Sequence, residues 1–216
     1  AGPTPPADPA YELAKSGMAV VVLSAVVSFA AVGCVFSWMY DRRAVQLYGM
    51  IPLRRRSIFL ATVLAGVIPL LVAVGIAGLV FAAALGFGRD AAAILPWMAG
   101  HALVIVTFGG IDALCVQLAG RPVFALLCYL LVNFYAFAAR QFAEALYSLV
   151  APSVSLASVA ELCASPLIRL VQLVSSWATA FPFPVSNLEA ALTQALVIYA
   201  IVGLACAVLA MLAFSR

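Results

Sequence analysis

The chain of 216 residues contains one histidine, His101. That nearly removes triad and histidine–metal chemistry, and no GxSxG or HExxH motif is present. No GxxxxGK[ST] loop is present either, so the chain cannot cradle ATP phosphates by that route. The five cysteines (Cys34, Cys115, Cys128, Cys163, Cys206) are scattered without CxxC spacing, and no metal site is expected. The remaining candidates are polar residues inside apolar runs: His101, Asp112, Asn133, Arg140 and Glu144. Ionisable groups are costly inside a membrane, so each is a candidate site. His101 lies near mid-depth of its run. It can serve as a proton relay or substrate contact, or as a neutral imidazole hydrogen-bonded to a neighbouring helix. Asp112 falls near the other end of the same run, where pairing with a basic residue of 41–57 or with Arg121 is expected. Arg140 and Glu144 are four apart and share a helix face. Together with Asn133 they can line a pathway, or form an interfacial ion pair.

A second kind of chemistry lies in residues 41–57, DRRAVQLYGMIPLRRRS. This stretch holds Arg42, Arg43, Arg54, Arg55 and Arg56, five of the eleven basic residues. Ala44, Leu47, Tyr48 and Ile51 fall at i, i+3, i+4 and i+7, which predicts one apolar face on a short helix. Gly49 weakens that helix and Pro52 ends it. On pattern alone, the stretch reads either as an amphipathic surface helix held by two arginine clamps or as an ordinary basic loop between spans.

The elements that carry these residues follow from composition. Hydrophobic residues make up 67% and charged residues 9%, where a soluble domain has about 25% charged. Apolar runs longer than 20 residues, without period-2 alternation, predict membrane-spanning helices rather than barrel strands. The net charge of +3 gives no sign of a nucleic-acid surface. The expected fold is an all-α polytopic transmembrane bundle. Five spans are expected, at 17–40, 57–87, 91–115, 123–150 and 188–214. Trp38 and Tyr40 suit the headgroup level at the end of the first. Pro69 predicts a tilted or kinked second span, and Gly109 and Gly110 a break in the third. Residues 1–16 are Pro-rich and read as an extended linker with room for a helical turn near Tyr11 to Lys15, and 151–188, punctuated by Pro152, Pro166, Pro182 and Pro184, as short helices at or dipping into the surface. No signal peptide is visible, and a first residue of Ala makes the chain read as a piece of something longer. Seven arginines (Arg42, Arg43, Arg54, Arg55, Arg56, Arg121, Arg216) fall on one side under this topology. The positive-inside rule makes that side, with the C-terminus, cytoplasmic and residues 1–16 extracytoplasmic.

The stretch from Phe36 to Gly66 resembles the permease subunits of bacterial ABC-2-type (type V) exporters. The matching residues are Tyr40, Arg42, Arg43, Tyr48, Ile51, Pro52, Arg55, Phe59, Leu60, Ala65 and Gly66, and the ending LAMLAFSR resembles the last helix of the same family. The resemblance is sharp over about thirty residues and architectural elsewhere. It implies a coupling helix at 41–57, with Arg42, Arg43, Leu47, Tyr48, Ile51, Pro52 and Arg55 docking in a groove of a separate ABC ATPase subunit. It also implies ATP and Mg in that partner rather than in this chain, a second permease subunit, and a bacterial cytoplasmic membrane location. The chain itself would be a transport subunit and no enzyme. Two departures stand out. The family has six spans, so the first helix would be missing here, and Met50 stands where the family often has a polar residue. The region 151–188 corresponds to the family's extracytoplasmic re-entrant segment. The alternative is a non-transporting membrane scaffold or an intramembrane enzyme acting on lipid.

Overall fold

The computed structural model describes residues 9–50, 52–84, 94–150, 165–180 and 186–214. Within these, the side chains of 9–18, 49, 136, 140, 143, 144, 147–150, 177–180 and 186–189 are left aside. The architecture is all-α. Helix α1 spans Pro9–Val35 and tightens into a 3₁₀ turn, Phe36–Tyr40. A short α2, Arg42–Gly49, follows. Then come α3 (Arg55–Ala84), α4 (Ile94–Leu118), α5 (Pro122–Val150), α6 (Pro166–Ala180) and α7 (Ser186–Phe214). The long helices run alternately up and down, so α2, the turn at 119–121 and the end of α7 share one end of the bundle, and α6 lies toward the other.

Among the described residues, four helices are long and apolar enough to cross a bilayer: Ala19–Tyr40, Arg55–Ala84, Ile94–Leu118 and Ala190–Phe214. The chain is therefore a multi-pass membrane protein by length and composition. The fifth expected span, α5, is 29 residues long, about 43 Å at 1.5 Å per residue, against a hydrocarbon core of about 30 Å. Its apolar stretch Pro122–Tyr135 stops where the described side chains are interrupted, at residue 136.

The bundle is built around α4. Of its spanning window 67% is buried, against 11% for α3 and 17% for α7. Helices α1, α3, α5 and α7 all pack on it. On one side Val104, Phe108, Ile111 and Cys115 meet Val21 and Ala25 of α1, Tyr129 of α5 and Leu170 of α6. On another, Ile105, Ala113 and Val116 meet Val32, Phe36, Phe59 and Val67. Without a hydrophobic drive between helices in lipid, such association rests on close packing and interhelical hydrogen bonds. Both are present. A Cβ on Gly66 would sit 3.1 Å from Val32 Cα, so α1 and α3 approach closely there. The Tyr129 hydroxyl donates to Ala25 O at 2.9 Å, tying α5 to α1.

One local expectation is corrected. Gly109 and Gly110 do not break the third span, since α4 is continuous from Ile94 to Leu118. Both glycines are buried contact points, Gly109 against Val67 and Gly110 against the Gly203 backbone. Burial in a helix–helix contact outweighs their weak helix propensity of about 1 kcal/mol. Helix α3 runs through Pro69, which lies inside Arg55–Ala84 on an exposed face. Helix α6 is a short helix, as the proline pattern of 151–188 suggests. It buries Leu170, Leu173 and Val174, and Ser165 Oγ before it accepts from Phe137 N of α5 at 3.3 Å. Residues 151–164 and 181–185 lie outside the described residues.

Candidate functional site

The basic stretch folds as a capped helix between two spans. Asp41 is in extended conformation, and its side chain accepts from Arg43 N at 3.0 Å. This is an N-cap, which satisfies one backbone donor of the first turn. At the other end Met50 N bonds Gln46 O and Leu47 O, at 3.2 and 3.1 Å. Pro52 follows as expected of a helix stop, and Ile51 lies outside the described residues. A new start forms where Ser57 N donates to Arg54 O at 2.9 Å. Arg42, Arg43, Arg54, Arg55 and Arg56 are all exposed.

The apolar positions of α2 divide. Ala44 and Tyr48 are half-buried, while Leu47 is 65% exposed and Met50 79%. Residues at i and i+4 stack on one side, and i+3 swings about 60° away from the i line. Tyr48 turns inward and stacks on Trp38, ring centroids 4.3 Å apart. Trp38 meets Phe214 edge-on at 6.4 Å, Phe214 meets Phe59 at 5.6 Å, and Phe59 meets Phe36 at 5.5 Å. This aromatic chain ties α2 to the end of α1, the start of α3 and the end of α7. Pairs of this kind add about 0.5–1.5 kcal/mol each beyond area burial. Trp38 and Tyr40 thus serve packing at the end of the first span. Tyr40 also reaches α4, its hydroxyl 3.5 Å from Val116 O.

No described contact joins the polar residues inside the bundle into one site. His101 is buried, and Nδ1 sits 2.7 Å from Trp97 O, one turn earlier on its own helix. The hydrogen bond expected to a neighbouring helix is instead local, which leaves Nε2 facing no protein partner among the described residues. With Nδ1–H donating to that carbonyl, Nε2 is the acceptor nitrogen. The Trp97 ring covers the imidazole at 4.2 Å, and Phe81 meets Trp97 edge-on at 5.8 Å. Asp112 shares a face with His101 three turns on, about 16 Å along the axis.

Asp112 is fully buried, and neither carboxylate oxygen has a hydrogen-bond partner among the described residues. The expected pairing with a basic residue of 41–57 or with Arg121 is not made. Those arginines stand exposed at the end of the bundle, whereas Asp112 lies inside it. Tyr40, Cys115 and Tyr129 lie within electrostatic reach of it, and the two tyrosine hydroxyls are directed at Val116 O and Ala25 O. Asn133 is also fully buried. Its Nδ2 donates to Tyr129 O at 2.9 Å, and Oδ1 has no partner among the described residues. The side chains of Arg140 and Glu144 lie outside those described. The four pathway candidates are therefore not brought together by any described contact.

Tyr129 and the pair Gly110–Gly203 escaped the sequence reading. Tyr129 holds α5 to α1 and packs on Phe29 at 4.8 Å and on Phe108 at 6.5 Å. The one available signal was a tyrosine four residues before Asn133 in an otherwise apolar run. Nothing in sequence linked Gly203 to α4. Compared with known proteins, the chain matches no family model, no curated protein and no solved structure.

Proposed function

We propose that the chain is the membrane-spanning permease subunit of an ATP-driven ABC exporter of the ABC-2 type, working with a separate ATPase subunit and a second permease subunit. In this reading the chain lies in a bacterial cytoplasmic membrane, with α2 and the C-terminus on the cytoplasmic side. ATP and Mg are held by the ATPase, and this chain supplies the pathway and the coupling element. The observation that carries the reading is α2 itself, an eight-residue capped helix at one end of the bundle. It presents Leu47 and Met50 outward between exposed arginines, and its other side is fixed by Tyr48 to Trp38.

The physical logic is direct. Leu47 and Met50 are large exposed side chains that an apolar groove would cover, with a gain of about 1.5–3 kcal/mol for each side chain fully buried. Arg42 and Arg43 complement carboxylates on the rim of such a groove and steer the encounter. A displacement of α2 then passes to α1 and α3 through the chain and to α7 through Trp38 and Phe214. The test is co-purification. A tagged chain expressed with its genomic neighbours should retain a P-loop ATPase, and Leu47→Asp with Met50→Asp should release it while the folded permease is recovered in equal yield. Retention of the ATPase by that double variant would remove α2 as the docking element.

A further inference from the structure

We propose that Arg54, Arg55 and Arg56 form a binding site for the phosphate of an anionic phospholipid at the α2 end of the bundle. The three are consecutive where α3 begins, and all three are exposed. At 100° per residue a consecutive triplet fans over about 200° of helix circumference, so its guanidinium groups face outward around α3 and not toward one neighbour. The apolar run starts at once, with Ile58, Phe59 and Leu60, and Phe59 is already buried against Phe36. At 1.5 Å per residue the arginine backbones lie within about 6 Å of the hydrocarbon edge. Long arginine stems bridge such a gap while their heads stay among the phosphates.

Charge balance points to an anion from outside the chain. The same end carries exposed Arg42, Arg43 and Arg121. The exposed carboxylate described there is Asp41, and it is spent on Arg43 N as the cap of α2. Among the described residues the triplet makes no ion pair. At this depth the abundant anion is the lipid phosphate, which a guanidinium grips through two parallel N–H···O bonds. A zwitterionic headgroup carries its own cation, so a lipid with net negative charge is favoured. Leu53, 60% exposed beside the triplet, can lie against the lipid's glycerol and upper acyl region. The site shares Arg55 with the docking set implied by the family resemblance, but it needs no partner subunit and is tested without one.

The test uses the purified chain in nanodiscs of phosphatidylcholine, with and without phosphatidylglycerol, and no ATPase present. Phosphatidylglycerol should raise the Tm by about 2–4 °C, with a smaller shift at high salt. Arg54→Gln with Arg55→Gln and Arg56→Gln should lose most of the shift, whereas the three Lys replacements should keep more than half of it. Native mass spectrometry of single Arg55→Gln should show fewer retained phosphatidylglycerol molecules, which covers the case of a triple variant that does not fold. An equal Tm in both lipids, or a full shift in the Gln triple variant, would overturn the site. Equal stabilisation by inorganic phosphate in phosphatidylcholine alone would overturn its assignment to lipid.

Discussion

Gly110 of α4 and Gly203 of α7 meet backbone against backbone. A Cβ on Gly110 would collide with the Gly203 carbonyl, and a Cβ on Gly203 would stand 2.6 Å from Thr107 Cα. Neither obstacle is the movable end of a side chain, so the helices themselves would have to separate. Gly203→Ala is expected to destabilise the bundle by about 1–3 kcal/mol, the range for overpacking a close contact. Gly75→Ala, at a position where a Cβ meets nothing within 4 Å, should be neutral or gain up to about 1 kcal/mol from helix propensity. Thermal unfolding of the two variants in the same detergent measures the contrast. Equal Tm values would mean that α4 and α7 are not packed this closely.

Tyr129 offers a second measure of how the central helix is held. Its hydroxyl donates to Ala25 O across two helices, and the carbonyl keeps its own helical bond without it. Tyr129→Phe should therefore cost about 1 kcal/mol, a typical net hydrogen-bond value. Tyr129→Ala should cost more, about 3–5 kcal/mol, because contacts with Phe29 and Phe108 are lost as well. A Phe variant as unstable as the Ala variant would show that the hydroxyl, and not the ring, holds α5 in place.

How much was legible in the sequence follows from what each signal reports. Apolar runs report lipid or protein surroundings without distinguishing them, so the spans were readable but the central place of α4 was not. A helix apolar on every side gives no face to read. Helical periodicity grouped Ala44, Leu47 and Tyr48, yet Tyr48 turns in to Trp38 while Leu47 stays out. Which member of an amphipathic face is covered depends on the neighbour, and Trp38 lies ten residues earlier. Opposite charge suggests pairing Asp112 with the arginines, but depth in the bundle decides, and the arginines remain at its end. Gly110 signals only its weak helix propensity in sequence, because its partner, Gly203, lies more than ninety residues away. The short α6 was legible because prolines mark boundaries by local sterics alone.

Asp112 tests whether its carboxyl serves the fold. It is buried with both oxygens unpartnered among the described residues, a condition that costs about 1–3 kcal/mol or more for a polar group. If nothing in the assembled membrane protein relieves that cost, Asp112→Leu should raise stability by about that amount, and Asp112→Asn should leave it nearly unchanged. Tm in detergent and in nanodiscs gives the answer. Loss of stability in Asp112→Leu would show a partner to the carboxyl; on the exporter reading, loss of transport with unchanged Tm would place Asp112 in the pathway.

Trp38 separates docking from transmission. It stands between Tyr48 of α2 and Phe214 of α7, inside the bundle end and away from the exposed Leu47 and Met50. Trp38→Ala removes both ring contacts, worth about 1–3 kcal/mol beyond the buried area lost with them, while leaving the outward side of α2 unaltered. On the exporter reading, the variant should still retain the ATPase subunit on co-purification. Its ATP turnover should then match that of the ATPase subunit alone, because α2 no longer moves with α7. Trp38→Phe keeps a ring between the two and should restore most of the permease-dependent rate. If Trp38→Ala instead releases the ATPase, the stack positions α2 for docking and does not relay its motion. If turnover stays at the wild-type level, force reaches the bundle through the direct connections to α1 and α3 alone.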